Sequence, residues 1–169
     1  MQGCNAQIAA DQTHHVVVAH ALTNQAPDVQ HLPVILERVE ANTGTEPKYL
    51  TADAGYRSEA NAAVCDARGI AALIATGRLT PGETPLPVRG QPPQHLDAEG
   101  RMWCKLRTTA GRAGYAGRTA VVEPCFERIT GPGVWELLLR SLEKAQAKWA
   151  PIAMSHKLLK YYRVAWQPA

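Results

Sequence analysis

Two short segments near the start of the chain predict a β-hairpin. Residues 5–10 alternate imperfectly between polar and apolar side chains, whereas residues 16–22 form an apolar run rich in β-branched side chains. The second pattern is typical of a buried strand. Polar residues at 11–14 separate the two segments and predict the turn that joins them.

The next segment has the period of an amphipathic helix. Its apolar side chains recur at i, i+3, i+4 and i+7, namely Leu32, Ile35, Leu36 and Val39. Asp28 is the candidate N-cap, and Gly44 is the predicted end of the helix. The single apolar face indicates that this helix packs against a sheet.

A strand, a helix and a second strand follow. Residues 49–52 predict a short strand that ends at Asp53, and residues 58–68 predict a helix that Gly69 ends. Residues 70–74 predict the next strand. A βαβ unit of this length makes its two strands parallel, so the hairpin and this pair together predict an α/β fold with a mixed sheet and flanking helices.

The second half of the chain is less regular. Proline and glycine are frequent over residues 77–99, and we expect an irregular insertion at about residues 77–114 that contains one strand at 101–108. The pattern turns helical from Thr119 and is broken at 131–133. A long closing helix is predicted beyond the break, with apolar positions at Leu138, Leu142, Ala145 and Trp149.

Composition points to one globular domain. At 169 residues and 46% apolar, the chain can bury a single core. No apolar run approaches the ~20 residues of a membrane helix, and the first residues lack the pattern of a secretory signal. The four cysteines form no Cys-x-x-Cys pair, so we expect reduced thiols in the core rather than zinc ligands or disulfides.

The net charge of +3 conceals an asymmetry between the two halves of the chain. Residues 1–100 contain 6 Lys and Arg against 11 Asp and Glu, whereas residues 101–169 contain 12 against 4. A basic half is a plausible footprint for a phosphate backbone, and the alternative is a solvated helix face. The basic residues that favour nucleic acid are Arg101, Lys105, Arg107, Arg112 and Arg118.

Asp53 is the first candidate for a functional residue. An acid at the carboxyl end of a strand in an α/β sheet lies where such sheets bind ligands and metals, although an aspartate there also commonly caps a turn. Residues 77–84 nearly match a phosphate-binding P-loop, but Glu83 replaces the lysine and Pro85 interrupts the helix start. A histidine group has no acid or cysteine to complete a metal site, and we expect surface or packed side chains there: His14, His15 and His20.

Four segments together resemble a known family. They are Gly-Cys-Asn-Ala-Gln-Ile-Ala-Ala-Asp at 3–11, Tyr-Leu-Thr-Ala-Asp-Ala-Gly-Tyr at 49–56, Val-Val-Glu-Pro-Cys-Phe at 121–126, and Leu-Leu-Arg-Ser-Leu-Glu-Lys at 138–144 with the later Trp149 and residues 156–159. In this order they resemble the DDE transposases of bacterial insertion sequences. The resemblance implies a partial catalytic domain over residues 1–169, ribonuclease-H-like and lacking its first strand.

The resemblance also implies a site. Asp53 and Glu123 match the second and third acids, which would ligate Mg²⁺ or Mn²⁺ and act in catalysis. Glu123 is expected at or near a helix start, where Pro124 is tolerated. The expected DNA contacts are Tyr115, Arg118, Arg112, Arg107 and Lys105. Asp11 does not match the family's first acid, which belongs to an earlier strand in an Asp-Gly context absent from this sequence. Thr130 stands where the family has a lysine.

The function implied is metal-dependent cleavage and transfer of DNA strands at transposon ends. Because one of the three acids is missing, we expect the chain to be inactive alone. Two alternatives stay open: a truncated, non-catalytic relic that binds DNA or modulates an intact transposase copy, and a simple nuclease. The expected location is the bacterial cytoplasm, at the nucleoid and away from membranes.

Overall fold

The hairpin predicted at the start of the chain is present in the computed structural model, which describes residues 4–75, 93, 95–130 and 141–166. Strands β1 (Asn5–Ala10) and β2 (Val17–Thr23) pair antiparallel, with Asn5 opposite Thr23 and a register shift between Ala9 and Ala10. Asp11 stabilises the turn, since its carboxylate accepts a hydrogen bond from the backbone N–H of His14 at 2.7 Å.

The first helix also agrees with its pattern, but its start does not. Helix α1 (Leu32–Thr43) buries its four periodic apolar residues and ends at Gly44, whose φ of 72° is the left-handed conformation that glycine adopts readily. Asp28 is not the N-cap, and that prediction was wrong. A short 3-10 turn (Asp28–Gln30) intervenes and turns the Asp28 side chain towards β1.

The βαβ unit is confirmed. Strand β3 (Tyr49–Ala52) leads through a 3-10 turn (Ala54–Tyr56) into helix α2 (Glu59–Ala67), and strand β4 (Ala71–Ile74) pairs parallel with β3. Ser58 caps α2, because its hydroxyl accepts the backbone N–H of Asn61 at 3.0 Å.

The strand predicted at residues 101–108 within the insertion was wrong. Residues 101–107 lie in helix α3 (Ala98–Arg107), which Asp97 caps by accepting the N–H of Gly100, and Thr108 is the C-cap. Helix α4 (Thr109–Thr130) begins ten residues before the predicted Thr119. Residues 77–92 and the break at 131–133 lie outside the described residues, as does Leu138.

Helix α4 carries three glycines spaced three residues apart: Gly111, Gly114 and Gly117. Two of them permit close packing. A Cβ at Gly111 would meet the Lys105 carbonyl, and a Cβ at Gly114 would meet the Tyr49 hydroxyl. Gly111 and Gly114 therefore allow the helix to approach α3 and β3.

The closing helix α5 (Leu142–Ala165) continues through Pro151 and packs on β2. Val17, Cys125 and Trp149 are buried together where α4 and α5 cover the hairpin. A second cluster, with Leu36, Cys65 and Ile74, fills the space between the parallel pair and its helices. Within the described part of the chain, no helix is long and apolar enough to span a membrane.

The fold is thus mixed α/β, with several helices around two small sheets. Within the described residues, β1–β2 and β3–β4 are separate two-stranded sheets. The cysteines are free thiols, as predicted, and three of them are buried. Cys4 is exposed, contrary to the prediction that all four lie in the core, because it precedes β1 at the end of the hairpin.

Candidate functional site

A cavity of about 500 Å³ separates the two sheets. It is lined by β1 on one side and β3 on the other, and by apolar side chains of α1 and α4, including Leu36, Val121 and Phe126. The side chains of Asp28 and Asp53 lie among the lining residues at one end, near the start of β1 and the end of β3. The first candidate acid therefore borders the cavity between the two sheets.

Asp53 directly follows β3 and begins the turn into α2. Its Oδ1 accepts the backbone N–H of Gly55 at 3.0 Å, which is the turn-capping role that the sequence left open. The side chain is partly exposed, and it forms no ion pair with a described residue. Capping engages one oxygen, so the carboxylate keeps acceptor capacity for another ligand.

Asp28 is a second acid at the same place, and the sequence did not identify it as functional. Its Oδ1 accepts hydrogen bonds from Asn5 Nδ2 at 2.6 Å and from Gln7 Nε2 at 3.3 Å. Asn5 and Gln7 are two residues apart on β1 and so project to the same face. The signal in the sequence was this pair of polar amides at alternate positions of a strand.

The two carboxylates meet around Gly55. A Cβ built on Gly55 would lie 2.8 Å from Asp28 Oδ2 and 3.1 Å from Asp53 Oδ1. Those two oxygens are therefore within about 6 Å of each other, a separation at which like charges repel appreciably. Burial raises the pKa of the neighbouring Tyr56 phenol, and the charges of Asp28 and Asp53 raise it further.

A buried asparagine braces the two turns that carry these acids. Asn61, on α2, is 3% exposed, and its Nδ2 donates to the carbonyl of Val29 at 2.8 Å and to that of Tyr56 at 2.7 Å. Val29 follows Asp28, and Tyr56 ends the turn that Asp53 begins. The side chain of Asn61 thus fixes one turn relative to the other.

The residues here have the chemistry that a hard divalent cation requires. Mg²⁺ and Mn²⁺ prefer oxygen ligands, and carboxylates and amide carbonyls supply them. Gln7 is 2% exposed, lines the cavity, and its buried Oε1 has no hydrogen-bond partner. Among the described residues, no group of three or more His, Cys, Asp or Glu side chains is placed to hold a metal ion. The carboxylates of Asp28 and Asp53 and this amide oxygen therefore fit a cation in chemical type, as a partial ligand set.

Glu123 lies in the second half of α4, so its predicted place at a helix start was wrong. The prediction failed because the glycines before it are accommodated inside the helix. Glu123 is exposed, whereas the preceding Val122 and the later Phe126 line the cavity. Its pairing with Asp53 around a shared cation remains a prediction.

Arg118 brings a positive charge to the same cavity. It lines the cavity with Asp53, and its guanidinium lies over the Tyr115 ring, 5.5 Å from the ring centre. Its Nε is buried without a hydrogen-bond partner. A planar guanidinium held this way can bind a phosphate through two N–H groups.

The other basic candidates lie on α3 and α4. Arg107 stacks on Trp103 at 4.2 Å, while Lys105 and Arg112 are exposed. Arg101 is already engaged, since it forms an ion pair with Asp66 at 2.7 Å. The basic cluster therefore includes side chains that are engaged within the protein, such as Arg101 and Arg107.

Comparison with known proteins gives one match. Searches of curated proteins and of solved structures found no similar protein. A family model described as the transposase DDE domain matches residues 1–158, which is nearly the whole chain. Transposases of this family act on DNA and generally use a divalent metal, and the segments around Asp53 and Glu123 fall inside the match. The chain belongs to the transposase DDE domain family.

Proposed function

We propose that this chain supplies part of an active site for metal-dependent cleavage and transfer of DNA strands in transposition. Asp53 and Glu123 are its proposed catalytic metal ligands, and Mg²⁺ or Mn²⁺ is its cofactor. The observation that carries the proposal is the position of Asp53, at the end of β3 on the wall of the cavity that Arg118 also lines. The bound metal ions would activate the attacking oxygen and stabilise the leaving one.

The proposed arrangement is a ribonuclease-H-like sheet. In that arrangement the family's first strand, which carries its first acid, lies between the hairpin and the parallel pair. The separation of β1 from β3 supports this order. Since two-metal chemistry needs enough anionic oxygens to hold both ions, we expect residues 1–169 alone to cut or join no DNA.

The test of the metal ligands is binding of Mn²⁺, measured by electron paramagnetic resonance. We expect Asp53→Asn and Glu123→Gln each to weaken binding by roughly tenfold or more, because each removes an anionic ligand. The asparagine at 53 can still accept the Gly55 N–H, so the turn is retained. Glu127→Gln is the matched control, since Glu127 is another exposed acid on α4. Equal binding by all four proteins would contradict the assignment.

The proposed DNA contacts are tested by titration of transposon-end DNA at several salt concentrations. We expect the logarithm of affinity to fall with a slope of roughly −0.9 per phosphate neutralised. Arg118→Ala and Arg107→Ala should weaken binding and reduce this slope. Lys48→Ala, which removes an exposed cation from the acidic half, should leave both unchanged. Affinity that is insensitive to salt would refute the contacts.

A second candidate is a non-catalytic protein that binds DNA or modulates an intact transposase copy at the nucleoid. The separation of the two sheets also favours this candidate, because no described strand lies between them to carry a further catalytic acid. Mixing residues 1–169 with an intact transposase tests for modulation. A modulator changes the rate of strand transfer, whereas a passive relic leaves that rate unchanged.

A further inference from the structure

The carboxylate of Asp28 is engaged through one oxygen and open at the other. Its Oδ1 accepts hydrogen bonds from the side-chain amides of Asn5, at 2.6 Å, and of Gln7, at 3.3 Å. Its Oδ2 lies against Gly55 and has no hydrogen-bond or ion-pair partner among the described residues. Carboxylate oxygens accept through more than one lone pair, so Oδ2 is held in a fixed direction with its acceptor capacity unused.

Asn5 ties this arrangement to the backbone. Besides contacting Asp28, its Nδ2 donates to the carbonyl of Gln25 at 3.4 Å and to that of Ala26 at 3.3 Å. The segment between β2 and α1 is thereby attached to the first residue of β1. The direction of the Asp28 carboxylate is therefore set before any ligand arrives, which reduces the loss of side-chain freedom on binding.

Gln7 supplies an oxygen that lacks a partner. Its side chain is 2% exposed and lines the cavity, and its Oε1 is buried without a hydrogen bond. Because an ionised carboxylate only accepts, the amide must turn its NH₂ group towards Asp28, which leaves Oε1 on the opposite branch. A buried amide oxygen without a donor is costly, and an ordered water or an ion usually satisfies it. This unpaired oxygen is an observation independent of the two acids.

The negative charges of Asp28 and Asp53 are not compensated within the described residues. Their nearest oxygens are within about 6 Å of each other, and no basic side chain of that part of the chain pairs with either. Mg²⁺ binds oxygens at about 2.1 Å, so one ion holds two ligand oxygens at most about 4.2 Å apart. Side-chain rotations that bring the carboxylates about 2 Å closer therefore allow both to reach the same ion.

Gly55 keeps the space between the two carboxylates open. A Cβ at this position would lie 2.8 Å from Asp28 Oδ2, closer than Cβ atoms approach other atoms in proteins. The backbone does not require glycine here, because the glycines with positive φ among the described residues are Gly44 and Gly69. The glycine at 55 is therefore explained by the space that the acids share and not by the conformation of the turn.

We propose that Asp28, Asp53 and Gln7 bind one divalent cation, Mg²⁺ or Mn²⁺, through Asp28 Oδ2, the Asp53 carboxylate and Gln7 Oε1. The choice of metal rests on the proposed function, whereas the ligand set rests on the contacts of these side chains. Mg²⁺ takes about six oxygens and usually keeps several waters, so three protein oxygens are sufficient. The site adds one acid and one amide to the proposed metal ligands. It holds a single ion, so the second ion of strand transfer still requires other ligands.

The first test locates the ion in the unmodified 169-residue chain. Mn²⁺ is paramagnetic and broadens the NMR signals of protons near it. We expect substoichiometric Mn²⁺ to broaden the side-chain amide signals of Asn5 and Gln7 before those of Asn42, which lies near the far end of α1, roughly 15 Å from its start. Excess Mg²⁺ should restore the signals, because it competes for the same ligands. Equal broadening of all three side chains, or none, would overturn the proposal.

Asp28→Asn separates a metal ligand from a structural acceptor. The amide oxygen can still accept from Asn5 and Gln7, while the NH₂ group replaces Oδ2 and can donate to Asp53. We therefore expect the variant to be at least as stable in urea as the unmodified chain, yet to bind Mn²⁺ roughly tenfold more weakly or worse, because an anionic ligand is lost. Glu59→Gln is the matched control, since it neutralises an exposed acid at the start of α2 and should leave Mn²⁺ binding unchanged.

The outcomes distinguish this inference from the proposed function. If Asp28→Asn binds Mn²⁺ as tightly as the unmodified chain, while Asp53→Asn and Glu123→Gln bind it weakly, the inference is wrong and the proposed function stands. If Asp28→Asn and Asp53→Asn both weaken binding and Glu123→Gln does not, the cation site is supported and the assignment of Glu123 is wrong. An unmodified chain that binds no Mn²⁺ at millimolar concentration also overturns the inference.

Discussion

The brace formed by Asn61 leads to the sharpest prediction for stability. Asn61→Ala removes two partly buried hydrogen bonds, to the carbonyl of Val29 at 2.8 Å and to that of Tyr56 at 2.7 Å. Each contributes about 1 kcal/mol net, and the carbonyls left without a donor add a penalty, so we expect a loss of about 3 kcal/mol in the free energy of unfolding. For a chain of this size, that lowers Tm by roughly 6–12 °C.

Urea denaturation followed by circular dichroism measures this loss. Asn42→Ala is the matched control, because Asn42 is exposed and donates a single bond, to the Val18 carbonyl at 2.8 Å. It should cost less than about 1 kcal/mol. Asn61→Leu, which keeps the volume and lacks both donors, should be as unstable as Asn61→Ala. The argument fails if Asn61→Ala costs no more than Asn42→Ala.

Three further changes test other parts of the structure. Gly55→Ala should lower the free energy of unfolding in urea by about 1–3 kcal/mol, since its methyl would displace the Asp28 carboxylate. Gly44→Ala is the control: its methyl meets no atom, so it should cost only backbone strain. Equal binding of Mn²⁺ by the two variants would contradict a cation site shared by Asp28 and Asp53. Burial, reinforced by nearby cations, lowers the pKa of His156 below its usual 6.5. The stability that the neutral imidazole contributes is therefore full above pH 6.5 and is lost as the pH falls through the folded-state pKa. His156→Gln should reduce the loss of stability on acidification, and an unchanged dependence of stability on pH would exclude His156 as its cause. Burial raises the pKa of the Cys65 thiol to about 11, so iodoacetamide at pH 8 should alkylate the exposed Cys4 first, and mass spectrometry that finds the reverse order would refute this.

The sequence predicted the elements whose signals are local. The hairpin, α1 and the βαβ unit each followed from hydrophobic period and from glycines at helix ends. It failed over residues 101–118, where the cap at Asp97 was overlooked and a strand within an irregular insertion was predicted in place of α3 and the first part of α4. Within α4, the Lys105 carbonyl packs against Gly111 and the Tyr49 hydroxyl against Gly114, and such contacts between distant segments leave no periodic trace.

The site was predicted only in part, because only local features of a sequence identify its residues. Asp53 was identified because a strand ends on it, a local feature of the sequence. Asp28 was assigned to a helix cap, because nothing near it in the sequence shows that Asn5 and Gln7 bind its carboxylate. Whether Glu123 joins Asp53 depends on the position of α4 relative to β3, which the residues around either acid do not encode.

The glycines of α4 also bear on how the cavity is entered. Each glycine makes a helix interior about 1 kcal/mol less favourable than alanine does, so three of them weaken α4 by about 3 kcal/mol. The helix then depends on its contacts with β3 and the hairpin. When those contacts are lost, α4 unfolds locally. Such segments open at a fraction of the free energy of global unfolding. We therefore expect the wall that carries Arg118 and Glu123 to open locally while the rest of the protein stays folded.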